Sequence, residues 1–417
     1  MPEKLIKRNI EDSLLETLSD TPIAVVQGAR QVGKSTLTSM IADKLDCRQL
    51  TFDNPDILLA AMNDPVNFVN QYPDGLLILD EVQLYPDILR IIKLSVDQRR
   101  QPGRFLLTGS ADLLHISKAN ESLAGRAETI KLFPFSRGEM NGTKEDFITD
   151  ILSGHVIGRL SEFTPLTRKD YAELIDYGGF PAILDRNARR RDAYFRNYLP
   201  RVLDHDAIVI SNLSHTDKLS KLFSIISAET SGIFIQANIA RKVGIPESSI
   251  GGYIKLLQDL HLIHMLSAWG RNLAKRAVSR PKISVLDTGV ACNVNGTHHE
   301  FLADISGGSA FGPLLETFVT NELLKQQTWS DAGHSLFHYR DRENREVDII
   351  AELPDGRIIA LEVKAAASIS RRDFIGINYI RGLLGERFCC GIVLYTGVEA
   401  QQFGDRMFFA PISTIWR

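Results

Sequence analysis

The stretch QGARQVGKST, residues 27–36, limits what this chain can fold into more than any other feature. It fits the pattern G-x-x-x-x-G-K-[ST] at every fixed position. The β-branched run 23–26 predicts a buried strand, and residues 36–45 predict a helix. A loop between a strand and a helix points its backbone amides at a phosphate chain. The alternative is a chance glycine turn, which leaves the flanking strand and helix unexplained.

We therefore predict a loop that binds ATP and Mg²⁺. Lys34 would reach the β- and γ-phosphates as a catalytic cation, and Ser35 would place its hydroxyl on Mg²⁺. The other nucleotide-binding residues are expected to be Gly28, Ala29, Arg30, Gln31, Val32, Gly33 and Thr36.

A second short stretch, LLILDE at residues 76–81, supports this interpretation. Four apolar residues predict a strand buried on both faces, and its carboxyl end is where open α/β sheets bind ligands. We expect Asp80 to hold Mg²⁺ through water, opposite Ser35, and Glu81 to polarise the attacking water as the catalytic base. An Asp-Glu pair after an apolar run is common by chance, so the prediction depends on the two motifs together.

Four further residues are candidates for contacts with the γ-phosphate. Ser110 or Thr108, at the end of a strand predicted over 104–108, could sense this group; the alternative is an ordinary strand-end turn. Arg126 is a candidate catalytic arginine finger that reaches the nucleotide of a neighbouring subunit, and Arg201 is a second candidate. The alternative for both is an ordinary surface arginine.

Composition narrows the class of protein. A chain of 417 residues predicts two to four domains, and 44% hydrophobic with 24% charged residues excludes wholesale disorder. A net charge of −3 gives no global electrostatic case for nucleic acid, so any such case must come from local patches. Four cysteines without a C-x-x-C motif argue against a zinc site. Together with a charged N-terminus and no long apolar run, they predict a cytoplasmic protein without a membrane span.

The middle of the chain carries two basic segments. A helical segment before residue 215 has a face that could meet phosphate, DNA or a partner, although a solvated basic face is the default; its arginines are Arg186, Arg189, Arg190, Arg191, Arg196 and Arg201. Residues 217–285 predict a winged helix whose wing would bind DNA phosphates without sequence preference. The wing cations are Arg271, Lys275, Arg276, Arg280 and Lys282. Winged helices that mediate only protein contacts are the alternative.

The last part of the chain predicts a helix over 314–327, carrying Glu316, and a hairpin around Pro354-Asp355-Gly356. A loop centred on Asp355 makes Asp348 and Glu362 a direct cross-strand pair. Two facing carboxylates repel unless a cation lies between them, so we predict a divalent metal bound by Asp348 and Glu362. The alternative is a solvent-facing set of salt bridges.

Glu316, Asp348, Glu362 and Lys364 resemble the E…D…E-x-K site of PD-(D/E)xK nucleases. This resemblance adds Glu316 as a metal ligand and gives Glu362 and Lys364 catalytic roles: the carboxylates would bind Mg²⁺, and the lysine would orient or deprotonate water. With the P-loop, YGGFP at 177–181 and DTG at 287–289, the whole chain resembles a widespread prokaryotic family. Its members are AAA-type P-loop ATPases with a winged helix and a restriction-endonuclease-like domain.

The resemblance implies an α/β fold with an AAA-type parallel sheet over 1–140, a helical lid over 141–215 and a winged helix over 216–290. A mixed α/β nuclease-like domain over 291–417 would follow. It also implies a homo-oligomer, with a ring as one form, that acts on DNA. Two function classes stay open: a motor or remodeller that couples ATP turnover to DNA, with or without cleavage, and a nucleotide-controlled switch that acts through protein contacts.

Overall fold

The computed structural model describes residues 5–109, 123–207, 216–270, 276, 279–304 and 307–417. Its first part is a five-stranded parallel sheet in the order β2-β3-β4-β1-β5. The strands are β1 (Ile23–Gln27), β2 (Cys47–Thr51), β3 (Leu76–Asp80), β4 (Phe105–Gly109) and β5 (Ala127–Lys131). Every residue of β1, β3 and β4 is buried, because helices cover both faces of the sheet.

The helix predicted over 36–45 is observed over 34–42, and four further helices belong to the described residues of this part. In chain order they are α1 (Glu11–Asp20), α2 (Lys34–Ala42), α3 (Pro55–Asn63), α4 (Pro65–Asn70) and α5 (Ile88–Gln98). Residues 5–8, before α1, are not helical. The strand β5 ends at Lys131, and the chain then continues toward the next part of the fold.

A set of short helices follows the sheet. They are α6 (Arg137–Asn141), α7 (Phe147–Leu152), α8 (Val156–Leu160), α9 (Arg168–Tyr177) and α10 (Ala188–Pro200), with a π-helical turn over Arg201–Asp206. Between α9 and α10 the backbone of Gly179 passes so close to Phe135 that a Cβ would lie 2.4 Å from the Phe135 carbonyl oxygen. This close approach joins the helical part to the end of the sheet.

The described residues within 216–285 include three helices and a small sheet. The helices are α11 (Thr216–Ala228), α12 (Gln236–Val243) and α13 (Glu247–Asp259). The strands β6 (Gly232–Ile233), β7 (Ile263–Leu266) and β8 (Lys282–Val285) pair antiparallel in the order β6-β8-β7.

The last part begins with α14 (Thr288–Asn295), α15 (His299–Ala303) and α16 (Gly308–Gln326). A six-stranded mixed sheet in the order β13-β14-β12-β11-β10-β9 follows, with α17 (Ile375–Leu384) between β11 and β12. Its strands are β9 (Ser335–Arg340), β10 (Glu346–Glu352), β11 (Ile358–Lys364), β12 (Phe388–Tyr395), β13 (Gln401–Gly404) and β14 (Met407–Pro411).

The register of the β10–β11 hairpin is the predicted one. Ile349 lies opposite Leu361 and Ile350 opposite Ala360, so the loop is centred on Asp355. Asp348 and Glu362 are the next positions along this ladder.

One of the apolar core clusters extends from Ile10, just before α1, to Trp416 near the C-terminus. The parts of the chain therefore share buried surface, and the predicted boundaries at 140, 215 and 290 stay predictions. In the part of the chain that the structure describes, no helix is both long and apolar enough to cross a membrane. All four cysteines are free thiols.

Candidate nucleotide site and carboxylate cluster

The P-loop lies between β1 and α2, and its backbone requires its glycines. Gly33 begins α2 with φ 96°, a left-handed conformation that favours glycine. A Cβ on Gly28 would lie 2.2 Å from the carbonyl oxygen of Leu132, so no side chain fits there. Gln31 also has a positive φ, 63°, and accepts a 2.6 Å hydrogen bond from the Tyr194 hydroxyl. The conformation of the P-loop is therefore fixed by its glycines and by the contact of Gln31 with Tyr194 of α10.

Lys34 is buried and its ammonium group lies at the loop. Its Nζ donates 3.0 Å hydrogen bonds to the carbonyl oxygens of Gly28 and Ala29. Arg8 supports the loop from outside: its guanidinium donates to the Val32 carbonyl at 3.0 Å and to Glu139 at 3.0 Å. The N-terminal segment is therefore fixed against the P-loop.

Ser35, Asp80 and Thr108 meet at the carboxyl ends of β3 and β4. The Ser35 hydroxyl donates to Asp80 Oδ2 at 2.8 Å, and the Thr108 hydroxyl donates to Asp80 Oδ1. Hydroxyl and carboxylate oxygens are the ligands that Mg²⁺ prefers. This donor set fits the expected ion, which would be held by Ser35 and, through water, by Asp80.

Glu81 follows directly, in a left-handed conformation with φ 57°. Such a conformation is strained for a non-glycine residue and is typical of functional sites. Its backbone amide donates to Asp80 Oδ1 at 3.1 Å, and its carboxylate accepts a hydrogen bond from the Gln83 amide. Burial raises the pKa of Glu81, and the nearby Lys34 and the Gln83 hydrogen bond oppose that rise. The carboxylate is thus positioned and made more basic.

A cavity of about 160 Å³ lies beside the start of α2. It is bounded by the N-terminal segment, by α2 and by the chain after α9; its lining residues are Leu5, Ile6, Arg8, Gly33, Thr36, Leu37, Met40, Phe135, Pro181, Leu184 and Asp185. Apolar walls with one carboxylate suit a flat aromatic base that carries an amino group.

Residues 20–141 match the family model of an AAA domain. The chain carries a P-loop ATPase domain of the AAA type. Two later stretches match domains of unknown function, DUF8612 over residues 168–300 and DUF4143 over residues 311–415.

Similar proteins extend this likeness over most of the chain. Two uncharacterized proteins, from Mycobacterium bovis and Mycobacterium tuberculosis, are each 26% identical over 369 residues, which is 88% of this chain and 76% of theirs. Among solved structures, a Walker-type ATPase of Pyrococcus abyssi is 15% identical with a TM-score of 0.40, covering 70% of this chain and 97% of that one. AMPPCP-bound DnaA from Aquifex aeolicus is 16% identical with a TM-score of 0.25, covering 60% and 85%. Structural likeness at this level says nothing about what the chain acts on.

The candidate arginine fingers lie on different sides of the ATPase domain. Arg126 directly precedes β5, at the amino ends of the parallel strands, whereas the P-loop follows the carboxyl end of β1; its guanidinium is paired with Asp97. Reaching a neighbouring subunit would require Arg126 to exchange that partner. Arg201 instead lies beside the P-loop of its own chain. Ser110 lies outside the described residues, so of the two sensor candidates Thr108 is the one placed against Asp80.

Arg201 belongs to a cleft of about 350 Å³ between the P-loop and α10. We call it the arginine cleft; it is lined by Arg30, Gln31, Arg186, Arg190, Ala193, Tyr194, Asn197, Tyr198, Arg201 and Val202. None of the described residues that line it is acidic. The rings of Tyr194 and Tyr198 stack at 5.7 Å in its wall. Cations and stacked aromatic rings together favour phosphorylated ligands with flat bases.

Two of the five cations predicted to form a basic wing are instead paired within the protein. Arg276 forms a bidentate ion pair with Glu352 of β10, with a 2.7 Å contact between Nη2 and Oε1. Lys282 is turned inward from β8 and is 4% exposed. Neither is available to a phosphate backbone, because carboxylates of the last domain already hold both. Arg271 and Lys275 lie outside the described residues.

Lys282 enters the group of carboxylates for which a metal was predicted. Its Nζ lies 2.7 Å from Glu316, 2.7 Å from Glu346 and 3.1 Å from Asp348. We call these three carboxylates, with that of Glu362, the carboxylate cluster. Although burial alone lowers it, the three carboxylates raise the pKa of Lys282. Burial and the Asp348 charge raise the pKa of Glu362, whose Oε1 accepts a 2.6 Å hydrogen bond from Lys364.

The prediction of one divalent ion shared by Glu316, Asp348 and Glu362 is therefore wrong for this arrangement. Asp348 Oδ1 faces Lys282, and its Oδ2 accepts a 3.0 Å hydrogen bond from the Val363 amide. Within the described ranges, no three acidic, histidine or cysteine side chains are grouped to hold a metal. The cation that relieves the carboxylate repulsion is an ammonium group.

Four important features were not predicted from the sequence: Arg8, Gln83, Glu346 and the inward-facing role of Lys282. Glu346 could have been found, since it lies two residues from Asp348 on one strand and so shares its face. Lys282 offers no such signal, because its partners are distant in the sequence.

Proposed function

We propose that this protein hydrolyses ATP at the P-loop and couples turnover to DNA that is bound in the arginine cleft. The observation that supports ATP hydrolysis best is the convergence of Lys34, Ser35, Asp80 and Glu81 at one end of the sheet. The base would enter the cavity beside α2, and Lys34 would leave the Gly28 and Ala29 carbonyls to contact the phosphates.

In this proposal Glu81 accepts a proton from the water that attacks the γ-phosphate, and Gln83 holds its carboxylate in place. Mg²⁺, when bound, would neutralise charge on the β- and γ-phosphates. Ser35 and Asp80 orient one another through their 2.8 Å hydrogen bond, and Thr108 fixes the second oxygen of Asp80.

The role of Glu81 predicts a specific pH dependence. A raised pKa means that the base is protonated, and turnover falls, as pH drops through a value above the ordinary glutamate pKa of about 4.3. Gln83→Ala should move this acid limb to higher pH, because the Gln83 hydrogen bond favours the charged carboxylate. The kcat of the parent protein and of Gln83→Ala would be measured from pH 4 to 8 at saturating ATP. Titration of ATP itself affects both proteins equally and so cancels from the comparison. Superimposable acid limbs would argue against Glu81 as the base.

The arginine cleft supports DNA as the partner. Arg30, Arg186, Arg190 and Arg201 face one concave surface, although the whole chain has a net charge of −3. Contacts with phosphates are independent of sequence and sensitive to salt. The wing contributes less than expected, because Arg276 and Lys282 are paired within the protein.

Replacing Arg190 and Arg201 together with alanine should weaken DNA binding about equally across sequences. The slope of log K against log salt should fall by roughly 0.9 for each duplex phosphate that the variant no longer neutralises. Fluorescence anisotropy with labelled duplex and single strands at several salt concentrations measures this. Arg196→Ala is the matched control, since Arg196 is exposed on α10 but does not line the cleft. Equal weakening in the double variant and in this control would contradict the proposal.

The second candidate function is a nucleotide-controlled switch that acts through protein contacts. The ion pairs of Arg276 and Lys282 with the last domain favour it, since they remove cations from any DNA-facing wing. A motor should turn over ATP faster with DNA, whereas a switch should turn over slowly and ignore it. ATPase rates with and without single-stranded, duplex and branched DNA distinguish the two.

We also propose a homo-oligomer, with a ring as one form, in which Arg126 exchanges Asp97 for the nucleotide of a neighbour. The exposed position of this pair before β5 supports the proposal.

A further inference from the structure

Lys282 is the one described residue of β6, β7 or β8 whose side chain ion-pairs with the carboxylate cluster. Its ammonium group contacts Glu316 on α16 and both Glu346 and Asp348 on β10. It reaches them from the small sheet of the preceding part of the chain, and it is almost completely buried.

The residues just after β7 and just before β8 are hydrogen-bonded to the large sheet. The Arg280 carbonyl lies 3.0 Å from His338 Nε2, on β9. Just after β7, the Trp269 amide donates a 2.6 Å hydrogen bond to the His338 carbonyl, and the Ser267 carbonyl accepts a 3.0 Å bond from the His338 amide. Lys282 therefore lies on a strand whose neighbouring residues are hydrogen-bonded to the sheet that carries the carboxylate cluster.

The contacts of Lys282 and those of a divalent ion exclude each other. Hard divalent cations bind carboxylate oxygens at about 2.0–2.6 Å, so an ion among Glu316, Glu346 and Asp348 would take the position of the ammonium group.

The cluster nevertheless keeps a feature that points to a further cation. Glu362 is 8% exposed, and its Oε2 atom has no hydrogen-bond partner among the described residues. A buried carboxylate oxygen without a partner is costly. The four carboxylates of the cluster carry more negative charge than the two ammonium groups of Lys282 and Lys364 neutralise. The guanidinium of Arg340 lies at the rim of the cluster, 3.7 Å from Glu346.

We propose that Lys282 is an internal cation that occupies the position of a divalent metal ion in the carboxylate cluster and so closes the cluster to metal binding. This inference does not depend on ATP hydrolysis or on DNA binding.

The test is Mn²⁺ binding to the full chain without nucleotide, measured by isothermal titration calorimetry and by the electron paramagnetic resonance signal of free Mn²⁺. Lys282→Met should bind one Mn²⁺ about 10- to 100-fold more tightly than the parent protein. This is the usual size of the change in affinity that one bound group causes for another. Adding Asp348→Asn to Lys282→Met should remove the gained site. The parent protein should behave like Asp348→Asn alone.

Two results would overturn the proposal. One is a folded Lys282→Met variant that binds Mn²⁺ no better than the parent, which would make Lys282 an ordinary ion-pair partner. The other is a parent protein that binds Mn²⁺ as tightly as Lys282→Met through Asp348, which would show that the cluster is not closed. Lys282→Gln, which keeps a hydrogen-bond donor without the charge, is the second variant and is judged by the same two comparisons.

Discussion

Lys34→Ala is expected to abolish nucleotide binding. The ammonium group is the buried cation of the loop, and its loss leaves the phosphate charge without its main partner. Binding of a fluorescent ATP analogue should become undetectable at concentrations that saturate the parent protein. Lys44→Ala is the matched control. Lys44 lies after the end of α2, away from the loop, and forms an ion pair with Glu11. Retained analogue binding in Lys34→Ala would contradict the assignment of the site.

Glu81→Gln should separate binding from chemistry. The amide keeps the shape of the side chain and leaves Ser35 and Asp80 in place, so analogue affinity should stay close to that of the parent. Loss of a general base lowers kcat by about 10²- to 10⁴-fold. Hydrolysis at the parent rate would show that another group activates the water.

Lys325→Met is expected to be the most destabilising single change that we describe. Lys325 is buried on α16, where its Nζ lies 2.6 Å from Glu322 Oε1 and 3.0 Å from the Phe135 carbonyl oxygen. Removing one partner of a buried ion pair leaves an uncompensated charge and costs about 3–5 kcal/mol. The free energy of unfolding, measured in urea, reports the loss.

The double variant Glu322→Gln/Lys325→Met is the control for that prediction. It removes both charges and keeps an acceptor for the 2.7 Å hydrogen bond from the Arg137 amide. Its stability should exceed that of Lys325→Met, because no buried charge stays unpaired. A double variant less stable than Lys325→Met would show that the uncompensated charge is not the cause.

The sequence was informative where a function depends on neighbouring residues. The P-loop, the strand ending in Asp80 and the centre of the 345–364 hairpin each occupy one short stretch, so spacing alone predicted their geometry. The β10–β11 register follows from the turn at Asp355, and the structure confirms it. The AAA-type domain was likewise predicted correctly from its motifs.

Interactions between distant segments were not predictable in this way. Asp348 was correctly placed near Glu362, but the cation beside it comes from Lys282, and nothing in the local pattern of β8 indicates an inward-facing ammonium group. Arg276 was assigned to a DNA-facing wing because its partner Glu352 lies far along the chain. Both errors arose because a charged residue was interpreted without its tertiary partner.

Helix α16 carries residues that contact both the carboxylate cluster and the end of the ATPase domain. It has 19 residues and so extends about 28 Å. Glu316 of the carboxylate cluster and Lys325 lie on this one rod, roughly 14 Å apart by helical rise. Lys325 holds the carbonyl of Phe135, a wall of the cavity proposed for the base. A movement of α16 as a unit would therefore change the Lys325 contact with Phe135 and the Glu316 contact with Lys282 together.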